Sequence, residues 1–309
     1  MSMNSIPRHL SCLVLLFAAA CGQDGTKAEA AALPRVAATF HPTAFFVAYV
    51  AGEYVEVVRP LPADADPAFW EPSPEALLEI QGADLIVLNG AGFERWAESV
   101  SLPDSRVLRT AEGFRQDWIE RDSGSHSHGG LAPHSHGGVD GHTWMDPLQA
   151  VLQAEAIRDA LKERWPERAA AFDEGFARLR SELEALDGRW RKLAPGLEGL
   201  RLVASHPSYD YLARRYGFEL TNLDLAPEET LPEPILAELA ELAAGNARTL
   251  VLWEADPLAE TRAALAANGI ESVLYAPAEV LAPSEHELGR DFLDVMNENI
   301  DRLEALLGD

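Results

Sequence analysis

Short runs of β-branched and large apolar residues alternate with longer stretches of helical period along most of this chain. In the first half the runs fall at 35–39, 54–59, 84–89 and 106–108, with helical patterns near Thr43, Ser73 and Phe93. Such alternation predicts βα units around a parallel sheet. Asp146-Pro147 then supplies an N-cap and an N1 proline for a helix running toward Arg164, and a second pattern from Glu167 to Leu193 repeats Leu179, Leu183 and Leu186 at helical spacing. Beyond Gly196 the alternation resumes, with strands at 201–205, 218–223, 249–254 and 272–275 and helices at 209–216, 233–244, 258–268 and 290–307. The predicted fold class is α/β: two lobes, each a small parallel β-sheet flanked by helices, joined by a long connecting helix. The lobes are placed at 34–166 and 197–309, with the connecting helix at 167–196.

Two segments break the pattern. Residues 1–21 carry an early cation at Arg8, an apolar run from Leu13 to Phe17 and Ala18-Ala19-Ala20 before Cys21, the layout of a secretory signal too short to span a membrane. A cysteine after small residues resembles the lipobox of bacterial lipoproteins, which makes Cys21 the expected lipidation site, 22–33 a tether, and the protein a periplasmic lipoprotein held to the membrane only by its lipid. Cys12 lies within the removed segment, so no internal disulfide is expected despite the oxidising compartment. The second break, 121–141, is rich in Gly, Ser and His and reads as a loop, with His126, His128, His134 and His136 in two His-Ser-His pairs suited to weak capture of zinc or copper.

Fifty acidic against 25 basic residues give a net charge of −25, which argues against nucleic acid or anionic lipid surfaces as partners and favours cations. In open α/β sheets ligands collect beyond the carboxyl ends of the strands. Titratable residues stand at four such places: His41 after the first strand, His142 before the capped helix, His206 after the strand ending at Ser205, and Glu254 after the run from Thr249 to Trp253. Two imidazoles with one or two carboxylates from separate strand ends form a normal Zn²⁺ set, and nitrogen donors argue against Ca²⁺ or Mg²⁺. Mn²⁺ accepts the same set with more oxygen. The chain has neither a His-Glu-x-x-His motif nor a nucleophile elbow, so it is not expected to be an enzyme; a zinc-dependent hydrolase is the weakest alternative.

Four stretches carry a resemblance to a known family: Asp66-Pro67-Ala68-Phe69-Trp70-Glu71-Pro72-Ser73-Pro74, Ala83-Asp84-Leu85-Ile86-Val87-Leu88-Asn89-Gly90, His142-Thr143-Trp144-Met145-Asp146-Pro147, and Ser205-His206 followed by Tyr211 and Tyr216-Gly217. With a histidine-rich loop just before the His-x-Trp motif, the chain resembles the zinc and manganese substrate-binding proteins of bacterial ABC transporters. The resemblance implies capture of a divalent metal, zinc foremost, in an interlobe cleft and its delivery to an ABC permease. A periplasmic metallochaperone or adhesin is the alternative. It makes His142 the first-lobe ligand and His206 the second-lobe ligand. The chain departs from the family twice, with Ala68 where a histidine is usual and Ala276-Pro277-Ala278-Glu279 where the last aspartate is usual. The expected site is therefore His41, His142, His206 and Glu254, with Glu279 and Glu71 in reserve.

Overall fold

The computed structural model describes residues 32–308 except 64, 122–137, 246–247, 282–284 and 286. The expected signal segment, Cys21 and the four loop histidines lie outside these residues.

The first lobe is built on β1 (Arg35–Ala38), β2 (Glu56–Val58), β3 (Leu85–Leu88) and β4 (Val107–Arg109), paired in parallel in the order β2-β1-β3-β4. Val36, Ala37, Ala38 and all of β3 are buried, because helices cover both faces of a parallel sheet and leave no polar side to alternate with. Helix α1 (His41–Ala51) follows β1, and α2 (Pro74–Gly82) precedes β3, capped by Ser73 whose hydroxyl accepts from the Ala76 amide at 3.2 Å. The helix predicted near Phe93 is only a 3-10 turn at Arg95–Glu98. There Gly90, Ala91 and Gly92 all have positive φ, and the buried Glu94 carboxylate accepts the Asn89 and Gly90 amides at 2.7 and 3.1 Å, so the backbone is committed to a turn.

The second lobe repeats the plan. Strands β7 (Arg201–Ala204), β8 (Leu220–Asn222), β9 (Thr249–Trp253) and β10 (Ile270–Leu274) pair in parallel in the order β10-β9-β7-β8, the same winding as the first sheet. Their helices are α5 (Asp210–Tyr216), α6 (Glu233–Ala243), α7 (Ala259–Ala267) and the terminal α8 (Phe292–Leu307), which Asp291 and Asp294 start with a capping box. Between the first-lobe sheet and the helix that starts at Pro147, β5 (Glu120–Arg121) and β6 (Gly138–Val139) form a two-residue antiparallel ladder, so both ends of the expected histidine-rich loop are pinned.

Helices α3 (Pro147–Arg164) and α4 (Ala169–Leu193) join the lobes. Asp146 caps α3 as predicted, accepting the Leu148 amide at 2.9 Å. Helix α4 spans 25 residues and buries Phe172, Phe176, Leu179, Leu183, Leu186, Trp190 and Leu193, a stripe at alternating spacings of four and three. One apolar cluster runs from Val36 of β1 through this stripe to Leu250 of β9 and Leu303 of α8, so the two sheets share a core. At Gly175 the helix crosses α1 so closely that a Cβ would lie 2.3 Å from the Val50 carbonyl oxygen.

Candidate metal centre

The site is assembled from chain segments leaving the carboxyl ends of both sheets, with His142 at its centre. The backbone passes Phe93 at Gly141, where a Cβ would lie 2.8 Å from the Phe93 Cβ, and the 3-10 turn Thr143–Met145 then leads into α3. Asp140 Oδ1 accepts from the His142 amide at 3.0 Å and stands 2.7 Å from Nδ1. A carboxylate only accepts, so Nδ1 carries a proton and the free coordinating position is Nε2. Nε2 faces Glu279 Oε1 at 3.0 Å. Burial alone would lower the His142 pKa, but the charge and hydrogen bond of Asp140, followed by those of Glu279, overcome it and raise the imidazole to about 10. Burial pulls Asp140 upward, and the His142 charge and hydrogen bond with the Arg121 charge bring it below the usual carboxylate value.

His206 follows β7, with the Ser205 amide bonded to the Leu252 carbonyl at 2.9 Å and the Ser208 amide to the His206 carbonyl at 2.8 Å. Its ring centre is 6.1 Å from that of His142, and its Nδ1 lies 3.9 Å from Asp224 Oδ1. Glu254 leaves the end of β9, where its amide donates to Ser205 Oγ at 3.4 Å. Burial pushes Glu254 up to about 7, with repulsion from Glu279, Asp66 and Glu228 adding to it and His142 opposing. Asp66 is raised as well, by burial first and Glu279 next among the raising causes, although its carboxylate accepts the Ala68 amide at 2.8 Å. Mutual repulsion among close carboxylates is what a bound cation relieves.

Glu279 comes from the loop after β10, where Ala278 has φ of 58°. That loop is fastened to the first lobe: Trp144 Nε1 donates to the Pro277 carbonyl at 2.9 Å, and the His41 amide donates to the Glu279 carbonyl at 3.0 Å. His41 is buried at the start of α1 with its Nδ1 3.4 Å from Arg59 Nη1. A guanidinium only donates, so this contact makes Nδ1 the acceptor and puts the ring proton of a neutral imidazole on Nε2, leaving no lone pair there for a metal. Glu71 is exposed.

Among the described residues no group of three or more His, Cys, Asp or Glu side chains already converges tightly enough to hold a metal ion. The shortfall is small. With bonds of about 2.0–2.2 Å, a tetrahedral ion between Nε2 of His142 and a Glu279 oxygen needs them roughly 0.4 Å farther apart than 3.0 Å. Two imidazoles on one tetrahedral ion have ring centres roughly 5 Å apart, about 1 Å less than the 6.1 Å between His142 and His206.

Of the four residues expected from sequence, His142 and His206 face each other, Glu254 is coupled electrostatically to His142 and Glu279, and His41 meets the site through its backbone. Glu279, held in reserve, makes a direct contact with His142. Asp66, Asp140 and Arg121 were missed; the available signal was that Asp66 stands two residues before Ala68 and Asp140 two before His142.

The chain belongs to the family described as zinc-uptake complex component A, periplasmic, whose pattern matches residues 36–306. It is 27% identical over 310 residues to the zinc-binding lipoprotein AdcA of Streptococcus pneumoniae serotype 4, covering 97% of this chain and 60% of that protein. The chain thus spans about 60% of the length of that relative. It is 26% identical over 300 residues to the high-affinity zinc uptake system protein ZnuA of Bacillus subtilis, with 94% of each covered. Its fold is similar to that of the metal-dependent lipoprotein YcdH of Bacillus subtilis, with a TM-score of 0.77 at 23% identity over 89% of this chain and 98% of that one. No helix among the described residues is long and apolar enough to cross a membrane.

Proposed function

We propose that this protein is an extracytoplasmic receptor that captures a divalent transition metal, zinc foremost, and passes it to the permease of an ABC importer, the lipid on Cys21 keeping it at the membrane. Imidazoles of His142 and His206 and carboxylates of Glu279 and Glu254 are its donors, and Asp66 adds negative charge beside them. His41 joins the donors only where Arg59 leaves its Nδ1. Two imidazoles with two carboxylates suit Zn²⁺, and the additional nearby oxygen keeps Mn²⁺ within reach. No chemical step is involved; the cycle is binding and release.

The observation that carries this reading is the state of His142. Asp140 holds Nδ1, Nε2 meets Glu279 across 3.0 Å, and the His206 ring centre lies 6.1 Å away, in a site whose other carboxylates repel one another. The Nε2 proton occupies the position the metal takes, so capture exchanges a proton for a cation.

Calorimetric titration of the chelator-stripped protein with zinc tests the reading. Parent protein is expected to bind one ion, and His142→Ala and His206→Ala to lose most of that affinity. Parent-like binding by both variants overturns it. Comparing Glu279→Ala with His41→Ala decides which supplies the remaining donor.

A further inference from the structure

Arg121 lies where the two lobes meet the two imidazole-bearing segments. The β5–β6 ladder brings it beside Asp140, whose amide donates to the Ile119 carbonyl at 2.8 Å. Arg121 Nη2 is 2.7 Å from Asp140 Oδ2 in the first lobe and 2.7 Å from Asp210 Oδ2 at the start of α5 in the second, and it also donates to the Pro207 carbonyl. Asp140 holds His142 through its other oxygen, and Pro207 directly follows His206. A single guanidinium thus grips both segments within two residues of both rings. Tyr211 of α5 reinforces the junction, its hydroxyl donating to the Asp140 carbonyl at 2.8 Å and accepting the Ile119 amide at 3.1 Å. The Arg121 side chain is 15% exposed and the Asp140 side chain not at all, so the contact is screened little by solvent.

We propose that Arg121 is a positioning residue that sets the separation of His142 and His206, and thereby the coordination geometry and the rate of metal release. The proposal rests on the reading of those two histidines as ligands. The planar guanidinium, already in contact with two carboxylates and a carbonyl, fixes the spacing of the two segments from which the rings project, so a change of the ring-centre separation from 6.1 Å toward roughly 5 Å is made against that fixed spacing.

The test combines zinc release into excess chelator, followed by stopped flow, with the visible spectrum of the Co²⁺-loaded protein, which reports coordination geometry. Arg121→Gln is expected to release zinc roughly tenfold faster or more and to alter the Co²⁺ spectrum, since loss of an outer partner costs about 10–100-fold in affinity. Arg121→Lys should recover part of the loss. Asp210→Asn attacks the same bridge from the second lobe and should move both readouts in the same direction, which keeps the proposal testable where Arg121→Gln does not fold. Arg248→Gln removes the Arg248–Glu271 pair on β10 and should lower Tm while leaving release and spectrum unchanged.

Parent release rates and spectra in folded Arg121→Gln and Asp210→Asn overturn the proposal, as does an equal change in Arg248→Gln. If His142→Ala and His206→Ala bind zinc like the parent, the ligand reading fails and the proposal with it. If they lose zinc while Arg121→Gln behaves as the parent, only the role of Arg121 falls.

Discussion

The two imidazoles of the site are supported very differently. His142 is clasped on Nδ1 by Asp140 at 2.7 Å and on Nε2 by Glu279 at 3.0 Å, and is buried against Phe93 and Trp144. The His206 side chain is a quarter exposed, with its Nδ1 3.9 Å from Asp224 Oδ1. Glu254, on the same side of the site, is raised to about 7 by burial first and by repulsion from Glu279 next. One half of the site is thus buried and clasped on both ring nitrogens, and the other is more open to solvent. On the proposed function, metal binding would draw the open half onto the clasped one.

Removing a ligand gives the largest expected effect. Structural zinc sites bind with about 10–16 kcal/mol shared among four donors, so His142→Ala and His206→Ala should each weaken zinc binding by at least about 100-fold in calorimetric titration. Next comes the asymmetry itself. Asp140→Ala should weaken zinc by roughly 10–100-fold as the held tautomer is lost, whereas Asp224→Ala should cost no more than about threefold. Equal losses from the two would show the halves to be supported alike.

A pH series sharpens the same contrast. Because His142 stays protonated up to about pH 10 in the metal-free protein, zinc affinity should climb about tenfold per pH unit from pH 7.5 to 9.5, not level off above the ordinary histidine value of about 6.5. Titrations in buffers of different ionisation enthalpy should register release of about one proton per zinc from this group. The stability sign runs the other way. The folded-state His142 value is above the unfolded one, so its contribution to metal-free stability is complete below about pH 6.5 and disappears as pH rises toward about 10. The gap in Tm between zinc-loaded and metal-free protein should therefore widen with pH. In the metal-free protein a modest effect is expected of Glu254→Gln. Relieving a carboxylate raised to about 7 should stabilise the metal-free protein at pH 8 by about 1 kcal/mol in urea denaturation, while zinc affinity falls.

Much of the scaffold was legible because it is written locally. The apolar runs 35–39 and 249–254 became β1 and β9 almost residue for residue, and Asp146-Pro147 announced both the start and the cap of α3. Where a local signal misled, a through-space contact had replaced it: the pattern near Phe93 gave way to a turn because the Glu94 carboxylate captures the Asn89 and Gly90 amides. The same distinction divides the site. His142 and His206 were readable from strand ends and from the family resemblance, and the two rings stand 6.1 Å apart between centres in an edge-on arrangement. Glu279 ranked only as a reserve because its approach depends on a positive φ at Ala278 and on Trp144 and His41 gripping its loop, none of which periodicity encodes. Asp140 and Arg121 sat inside a segment read as a loop rich in Gly, Ser and His, whose ends pair as the β5–β6 ladder.

The apolar stripe of α4 also has a consequence for whatever reads this molecule. A spine whose side chains belong to both sheets at once leaves little room for the lobes to swing apart, so full and empty forms should present nearly the same silhouette. On the proposed function, a transporter distinguishing them would sense electrical rather than geometric information. Exchanging the His142 proton for a doubly charged ion beside Asp66, Glu254 and Glu279 changes the local charge by one unit, and that single unit is the message the shape does not carry.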